Sequence, residues 1–265
     1  MTAFKDSNLD WDKAPAHWVM AKMGKTVLRP GGLEATDWLI NHAQIENKDI
    51  VEIAPGLGIT ACKLIGHKPK SYHAVDKEEM AAQTSMQRIE ALNFKEASIA
   101  VGDAQSLPFE DASKDLIIGE AMLSMQPLNI KEKIFSEVYR VLRTGGQYCI
   151  HELILEPDDI DANEAASVAK DLSQNIKVPV QIHTLSDWRN ILEKAGLKVT
   201  DYKVFPMHLL EPKRLIQDEG FCGTIKFVCN ILSNKKARER IIPLRKTFKK
   251  HKANLYAIAI TAEKI

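Results

Sequence analysis

Three acidic residues each close a short apolar run in the first half of the chain. They are Glu52, Asp76 and Asp103, and each stands where a buried strand would end. The carboxyl ends of parallel strands meet at one edge of a sheet, where such folds bind ligands, so we expect these carboxylates to lie close together. A buried carboxylate without a partner costs much free energy, and a cationic ligand would satisfy it. The spacing therefore predicts a ligand site at this edge.

A glycine-rich turn follows Glu52 directly, in the order Ala54-Pro55-Gly56-Leu57-Gly58. Gly56 and Gly58 allow tight turning and close approach of a ligand, and the next helix offers free N–H groups. The same glycine spacing followed by Asp76 also fits a dinucleotide site. Pyrophosphate is anionic and Glu52 would repel it, whereas S-adenosylmethionine (SAM) carries an ammonium and a sulfonium. Charge favours SAM, and an NAD(P)-dependent oxidoreductase with a Rossmann fold stays the alternative.

Strand and helix patterns alternate from residue 49 onward, as expected of right-handed βαβ units. The predicted strands are 49–54, 71–75, 98–101, 116–119, 147–155, 198–205 and 256–262. The predicted helices are 33–43, 59–67, 77–93, 130–142, about 159–177, and one that Ser186 caps and Gly196 ends. The sequence thus predicts an α/β fold with a doubly wound, mostly parallel seven-stranded sheet and helices on both faces.

Two segments fall outside this alternation. Residues 1–45 are predicted as an N-terminal helical extension, and residues 211–252 as a helical insertion that covers the substrate. Residues 46–210 and 253–265 would form the ligand-binding domain. Within the insertion one helical face is apolar, and it either lines an acceptor pocket or packs on its own domain. That face consists of Cys222, Ile225, Val228, Cys229 and Leu232. The basic residues of 235–252 are interpreted as a solvated helical face in preference to a binding surface.

The motifs together resemble the class I SAM-dependent methyltransferases, especially the branch similar to ubiquinone/menaquinone-biosynthesis methyltransferases. The resemblance covers about residues 49–205 and the last strand. It rests on Val51 to Gly58, Ala74-Val75-Asp76, Val101 to Phe109, and Glu137 to Gly146. It implies a Rossmann-like methyltransferase fold, SAM as cofactor, and in-line transfer of a methyl group to an O, C or N atom of a small molecule.

The resemblance also assigns roles to single residues. Glu52 and the turn would hold the methionine part, Asp76 the ribose, and Asp103 with Ala104 the adenine, while Glu120 would line the sulfonium side. The family usually has glycine where this chain has Ala54. Arg29, beside a Pro-Gly-Gly turn, could meet the SAM carboxylate. The expected cofactor contacts are Arg29, Glu52, Ala54, Pro55, Gly56, Gly58, Asp76, Lys77, Gly102, Asp103, Ala104 and Glu120.

A methyl acceptor with an acidic proton would need a base. His151 is the preferred candidate because it follows an apolar strand directly, and Glu120 is the second, while Glu152 and His208 also fall near the carboxyl edge. No metal site is expected, since the four cysteines are far apart and lack a C-x-x-C pair.

Composition narrows the partners. The net charge of +1 points to neither nucleic acid nor a membrane, and no apolar run is long enough for a transmembrane helix. The scattered cysteines are interpreted as reduced thiols of a cytoplasmic protein. The apolar face and the basic residues of the insertion leave a small apolar or anionic molecule as the acceptor. Nucleic acid is not expected as a partner, and a homodimer is left open. A non-catalytic module that binds SAM or RNA is the remaining alternative.

Overall fold

A computed structural model describes residues 9–265, so the first eight residues of the predicted extension lie outside it. The strands are β1 Asp49–Ile53, β2 Ser71–Asp76, β3 Ala97–Val101, β4 Lys114–Glu120, β5 Leu142–Leu155, β6 Leu197–Pro206 and β7 Leu255–Lys264. The helices are α1 Ala16–Lys22, α2 Gly32–His42, α3 Ile59–Gly66, α4 Glu79–Glu90, α5 Leu128–Val141, α6 Ala162–Ile176, α7 Leu185–Lys194, α8 Pro212–Ser233 and α9 Lys235–Lys250.

The strands form one seven-stranded sheet in the order β3-β2-β1-β4-β5-β7-β6. β1 to β5 run parallel, and β7 runs antiparallel to both of its neighbours. The order reverses between β1 and β4, which opens a crevice at the carboxyl edge. This arrangement confirms the predicted fold class.

Helices cover both faces of the sheet. Side chains of α2, α3 and α4, such as Leu39, Leu64 and Ile89, are buried against one face. On the other face α5 and α7 contribute Phe135 and Trp188 to a second buried cluster. The parallel strands are therefore buried on both sides, as expected for strands joined by helical crossovers.

A helical cap stands over the carboxyl edge of the sheet. It is built from α1, α6, α8 and α9, whose buried side chains pack together with Leu155 of β5 and Leu255 of β7. α8 bends at Gly220, which has φ 71° and ψ 171°. No helix within residues 9–265 combines the length and apolar character needed to cross a bilayer.

The apolar face predicted on α8 points in an unexpected direction. Beyond the bend at Gly220, Phe227 and Ile231 are the residues of this helix that enter the cap, and Leu215 enters it before the bend. Ile225 and Leu232, by contrast, are 47% and 62% exposed. The predicted face therefore neither lines a pocket nor packs on its own domain, because the neighbouring residues of the same helix already fill the cap.

Three element ends differ from the sequence prediction. α7 is capped by Thr184, which forms a capping box with Asp187, while the Ser186 hydroxyl donates to Asp158. α5 ends at Val141 because Leu142 turns extended and pairs with β4, so Gly145 and Gly146 lie inside β5. α4 begins at Glu79, since Asp76 accepts from the Glu78 N–H before the helix starts.

Candidate functional site

A cavity of about 490 Å³ lies at the carboxyl edge, between the sheet and the cap. Its volume falls in the range of pockets that enclose small ligands. Most of the predicted cofactor residues line it, namely Arg29, Glu52, Ala54, Pro55, Gly56, Asp76, Lys77, Asp103, Ala104 and Glu120. Gly58, Gly102 and His151 are not among the lining residues.

The turn after β1 forms the floor of this cavity. Ala54, Gly56 and Gly58 all have positive φ angles, of 57°, 56° and 74°. A Cβ on Gly56 would meet only the Ala54 carbonyl oxygen, at 4.0 Å, so open space lies above it. A Cβ on Gly58 would come within 2.7 Å of Ser85 Oγ. Gly56 therefore faces the cavity, whereas Gly58 lets α3 approach α4.

Two acids from neighbouring strand ends border the turn. Asp76 accepts hydrogen bonds from the N–H groups of Gly56 and Glu78, at 3.1 and 2.9 Å. Burial raises the pKa of Asp76. Asp103 is more exposed and lies 3.6 Å from Lys77 Nζ. The hydrogen bond from the Gln105 N–H lowers the pKa of Asp103, so this carboxylate is firmly ionised.

Glu52 is the most deeply buried acid of the turn region. The Tyr72 hydroxyl donates to Glu52 Oε2 at 2.6 Å. Burial raises the pKa of Glu52 to about 8, and the negative charge of Glu120 contributes to that rise. A cationic group in the cavity would favour the ionised form of this carboxyl.

Glu120 lies at the end of β4 and is surrounded by donors. Arg29 Nη1 lies 3.1 Å from Oε1, and Thr60 donates to the same oxygen at 2.5 Å. Thr36 and His151 donate to Oε2 at 2.6 and 2.8 Å. Burial acts to raise the pKa of Glu120, but the positive charge of Arg29 and the hydrogen bonds outweigh it and lower the pKa to about 2. Glu120 is therefore a permanent anion that holds Arg29 in the wall, and the role of base predicted for it does not fit.

His151 also differs from its predicted role. It pairs in register with Glu120 and donates from Nδ1 to that carboxylate, while its Nε2 accepts the Gly31 N–H at 2.9 Å. The ring is fully buried. Since both nitrogens are engaged, His151 positions Glu120 and the Arg29 segment and cannot accept a proton from a substrate.

The remaining acid and histidine suggested as bases are also engaged or distant. Glu152 accepts backbone hydrogen bonds from Met122, Leu123 and Ser124, at 2.9, 2.7 and 3.0 Å. It therefore holds the loop after β4. His208 is exposed and does not line the cavity.

Sequence reasoning missed the outer wall of the cavity. This wall is apolar and comes from the cap, through Met20, Ile176, Val180, Leu209, Leu244 and Phe248. The helical spacing of Leu244 and Phe248 on a basic segment was the available signal. It also missed His17, which lines the cavity, forms no hydrogen bond with any residue in 9–265, and has its pKa lowered to about 4 by burial.

The inner end of the cavity fits a ligand that carries both charges. Arg29 Nε and Nη2 are buried and find no hydrogen-bond partner among residues 9–265. A ligand carboxylate would satisfy them, because an unpaired buried donor is costly. Glu52 could receive an ammonium, and the space above Gly56 admits close backbone approach. These features match the SAM predicted from the sequence.

Comparison with known proteins points to one protein family. A family model described as a methyltransferase domain matches residues 50–146. An uncharacterised protein of Haemophilus influenzae is 35% identical over 250 residues, which are 94% of this chain and 97% of that protein. Sterol 4-C-methyltransferase of Caenorhabditis elegans is 30% identical over 104 residues, 39% of this chain and 30% of that enzyme.

A solved structure shares the fold. Geranyl diphosphate C-methyltransferase from Streptomyces coelicolor A3(2), in complex with Mg2+, geranyl diphosphate and S-adenosyl-L-homocysteine, has a TM-score of 0.62 at 12% identity. The alignment covers 88% of this chain and 80% of that one.

Proposed function

We propose that this chain, which belongs to the class I SAM-dependent methyltransferases, methylates a small and largely apolar acceptor at an O, C or N atom. One observation carries the proposal. A single cavity has the charged turn and strand-end acids at its inner end, and an apolar wall at its outer end. The comparisons favour neither the NAD(P)-dependent oxidoreductase nor the binding module.

We assign the inner end to the cofactor. When bound there, SAM supplies a methyl group made electrophilic by its sulfonium. Arg29 and Glu52 would pair with the carboxylate and ammonium, Asp76 with the ribose, and Asp103 with the adenine. Fixed partners hold these groups in place before the ligand arrives, which lowers the cost of ordering them.

We assign the outer end to the acceptor. Side chains such as Leu244 and Phe248 would exclude water and hold the acceptor in line with the methyl group. His17 lines the cavity and forms no hydrogen bond within residues 9–265, so its imidazole would take a proton from an acceptor that must lose one, as a weak base because burial lowers its pKa to about 4. The sterol named for the worm relative and the geranyl chain named for the structural neighbour are both apolar, which supports this acceptor class.

The proposal is tested by incubating the protein with SAM that carries a labelled methyl group. Apolar and water-soluble fractions of a cell extract are supplied separately, and sterols and prenylated quinols are added as single compounds. The quinols represent the ubiquinone/menaquinone branch, which is still a prediction. We expect the label in the apolar fraction, and none with an Asp76→Ala variant. Label only in water-soluble products would contradict the apolar acceptor.

A further inference from the structure

The part of α8 beyond Gly220 presents apolar side chains to solvent, at helical spacing along one side. We call this side the outer face. Its large residues are Phe221, Ile225, Val228 and Leu232, with exposed fractions of 67%, 47%, 40% and 62%. Cys222 and Cys229 are exposed beside them. Phe227 already anchors the helix in the cap, and the residues of the outer face belong to none of the packed apolar clusters of residues 9–265, so this face is a second apolar surface.

The segment that carries the outer face and follows it is rich in basic residues. Residues 221–252 contain ten Lys and Arg residues and one acid, Glu239, although the whole chain has a net charge of only +1. Acids from outside this segment pair with three of the ten, since Glu211 lies near Arg245 and Lys249, and Asp171 near Lys250. We call Lys235, Lys236, Arg238 and Lys246 the basic side of α9. Arg238 donates to the Leu232 carbonyl, which brings this side against the end of the outer face. Lys226, Lys236 and Lys246 form no ion pair with any residue in 9–265. Such a one-sided distribution indicates a negatively charged partner.

We propose that the outer face of α8 and the basic side of α9 dock this protein on an anionic phospholipid bilayer. Apolar residues would enter the headgroup boundary, while the lysines would bind the lipid phosphates. A nucleic acid would use the charge but leave the outer face in water. A second copy of the chain would bring two positive surfaces together. Of these three partners, the bilayer is the one that uses both properties.

Hydrogen bonds hold the first half of α8 in place, next to the docking surface. Just before the bend, Glu219 accepts the N–H groups of Thr26 and Val27 at 2.8 and 2.9 Å and lies 3.4 Å from the buried Lys25. Asp218 accepts the Leu33 N–H at 3.0 Å. The first half of α8 is therefore clamped to the N-terminal segment, and Gly220 sets the direction in which the second half leaves it.

The docking surface and the cavity lie on opposite sides of one helix. Leu244 and Phe248 of α9 line the cavity, whereas Lys246 of the same helix is exposed. Resting on the function proposed above, this juxtaposition leaves only the thickness of α9, about 10–12 Å, between the bilayer and the outer end of the cavity. Docking itself needs neither SAM nor an acceptor.

The test is sedimentation of the full chain with phospholipid vesicles. Vesicles of phosphatidylcholine alone are compared with vesicles of phosphatidylcholine and phosphatidylglycerol. We expect the protein to sediment with the anionic vesicles, to stay in solution with the neutral ones, and to be released by added salt.

Paired variants identify the surface. The double variant Phe221→Ser/Leu232→Ser should bind anionic vesicles about tenfold or more weakly, because it removes two apolar side chains from the bilayer boundary. Leu92→Ser, at a leucine that is also exposed but lies after α4, should bind as the wild type does. Lys236→Gln and Lys246→Gln should each weaken binding about fivefold. Lys133→Gln, on α5, is their matched control.

Several results would overturn the proposal. These are equal binding to both kinds of vesicle, no binding to either, or full binding by the double variant. A dimer that the double variant abolishes, or RNA binding without vesicle binding, would assign the surface to another partner. All variants should melt at the wild-type temperature. They should also keep SAM binding, so that failure of docking is distinguished from failure of the proposed reaction.

Discussion

At the residue scale, two buried glutamates of one cavity differ in their protonation. Burial raises the pKa of Glu52 to about 8. Burial acts on Glu120 as well, but Arg29 and the hydrogen-bond donors around it lower its pKa to about 2. Among residues 9–265, Tyr72 is the one side chain that donates to Glu52, which therefore retains capacity for a cationic partner. The different environments thus leave Glu52 able to bind the ligand, whereas Glu120 holds Arg29 in the wall of the cavity.

The variant Glu52→Gln tests the raised pKa of Glu52 through the pH dependence of stability. Because its folded pKa lies above its ordinary value of 4.5, wild-type Glu52 keeps a proton on folding, and stability is lost as pH rises from about 4.5 to about 8. Gln cannot ionise, so the free energy of unfolding of the variant should not fall in this way. The difference in this free energy, variant minus wild type, should be about 1–3 kcal/mol larger at pH 8 than at pH 4. Urea unfolding at both pH values measures this.

The same variant should bind SAM more weakly in calorimetry, since it has lost the partner of the ammonium. Glu90→Gln, at an exposed site, is the control and should change neither property. If Glu52→Gln unfolded like the wild type at both pH values and kept its SAM affinity, the assignment of this carboxyl to the cofactor would be wrong.

His17→Asn tests the proton acceptor. With an acceptor that loses a proton on methylation, the variant should lower kcat about a hundredfold, because general base catalysis contributes on that scale. SAM affinity should stay the same. His208→Asn removes an exposed histidine outside the cavity and should leave kcat unaltered. An unchanged kcat in His17→Asn would remove this residue from the mechanism.

At the scale of elements, the two glycines of the turn after β1 have different roles, one in ligand binding and the other in folding. Gly56 faces open space, while Gly58 packs on Ser85 of α4. Ala54 holds the same left-handed conformation without being glycine, at a cost of about 1–2 kcal/mol. The Ala54 N–H donates to the Val75 carbonyl at 2.8 Å, and this hydrogen bond helps the fold to hold Ala54 in its strained conformation.

Substitution of each glycine by alanine should affect a different property, SAM binding at Gly56 and stability at Gly58. Gly56→Ala should cost about 1 kcal/mol of stability, from its positive φ, yet strongly weaken SAM binding because its methyl fills the open space. Gly58→Ala should lower the melting temperature considerably more, since its Cβ would lie 2.9 Å from the Ser85 backbone. Thermal melting and calorimetry of both variants provide the comparison. Equal losses of stability would contradict this division.

At the scale of the whole molecule, cofactor binding should stabilise the fold. A ligand that binds only the folded state adds about 2.7 kcal/mol at a hundredfold excess over its Kd. For a chain of this size we expect SAM to raise the melting temperature by about 5 °C or more, and NAD to leave it unchanged. A shift with NAD and none with SAM would reverse the choice made from the charge of Glu52.

Sequence reasoning succeeded where the signal was local. The alternation of strand and helix patterns was sufficient to predict the sheet, and the acids at strand ends predicted the inner wall that Glu52, Asp76 and Asp103 form. It failed where partners are distant in the chain. His151 looked free because its donor, the Gly31 N–H, lies 120 residues away. The outward direction of Ile225 depends on which side of α8 the cap occupies, and helical spacing alone cannot decide that.

The position of β7 in the sheet has a consequence for synthesis of the protein. Within residues 9–265, β6 pairs with β7 alone, while β7 is also the partner of β5. A ribosome that has made the chain only up to residue 254 therefore holds two strands with an unmatched edge. The nascent polypeptide must wait for its final segment before those edges close. A premature stop codon before Leu255 would leave both edges open to other chains and so favour aggregation.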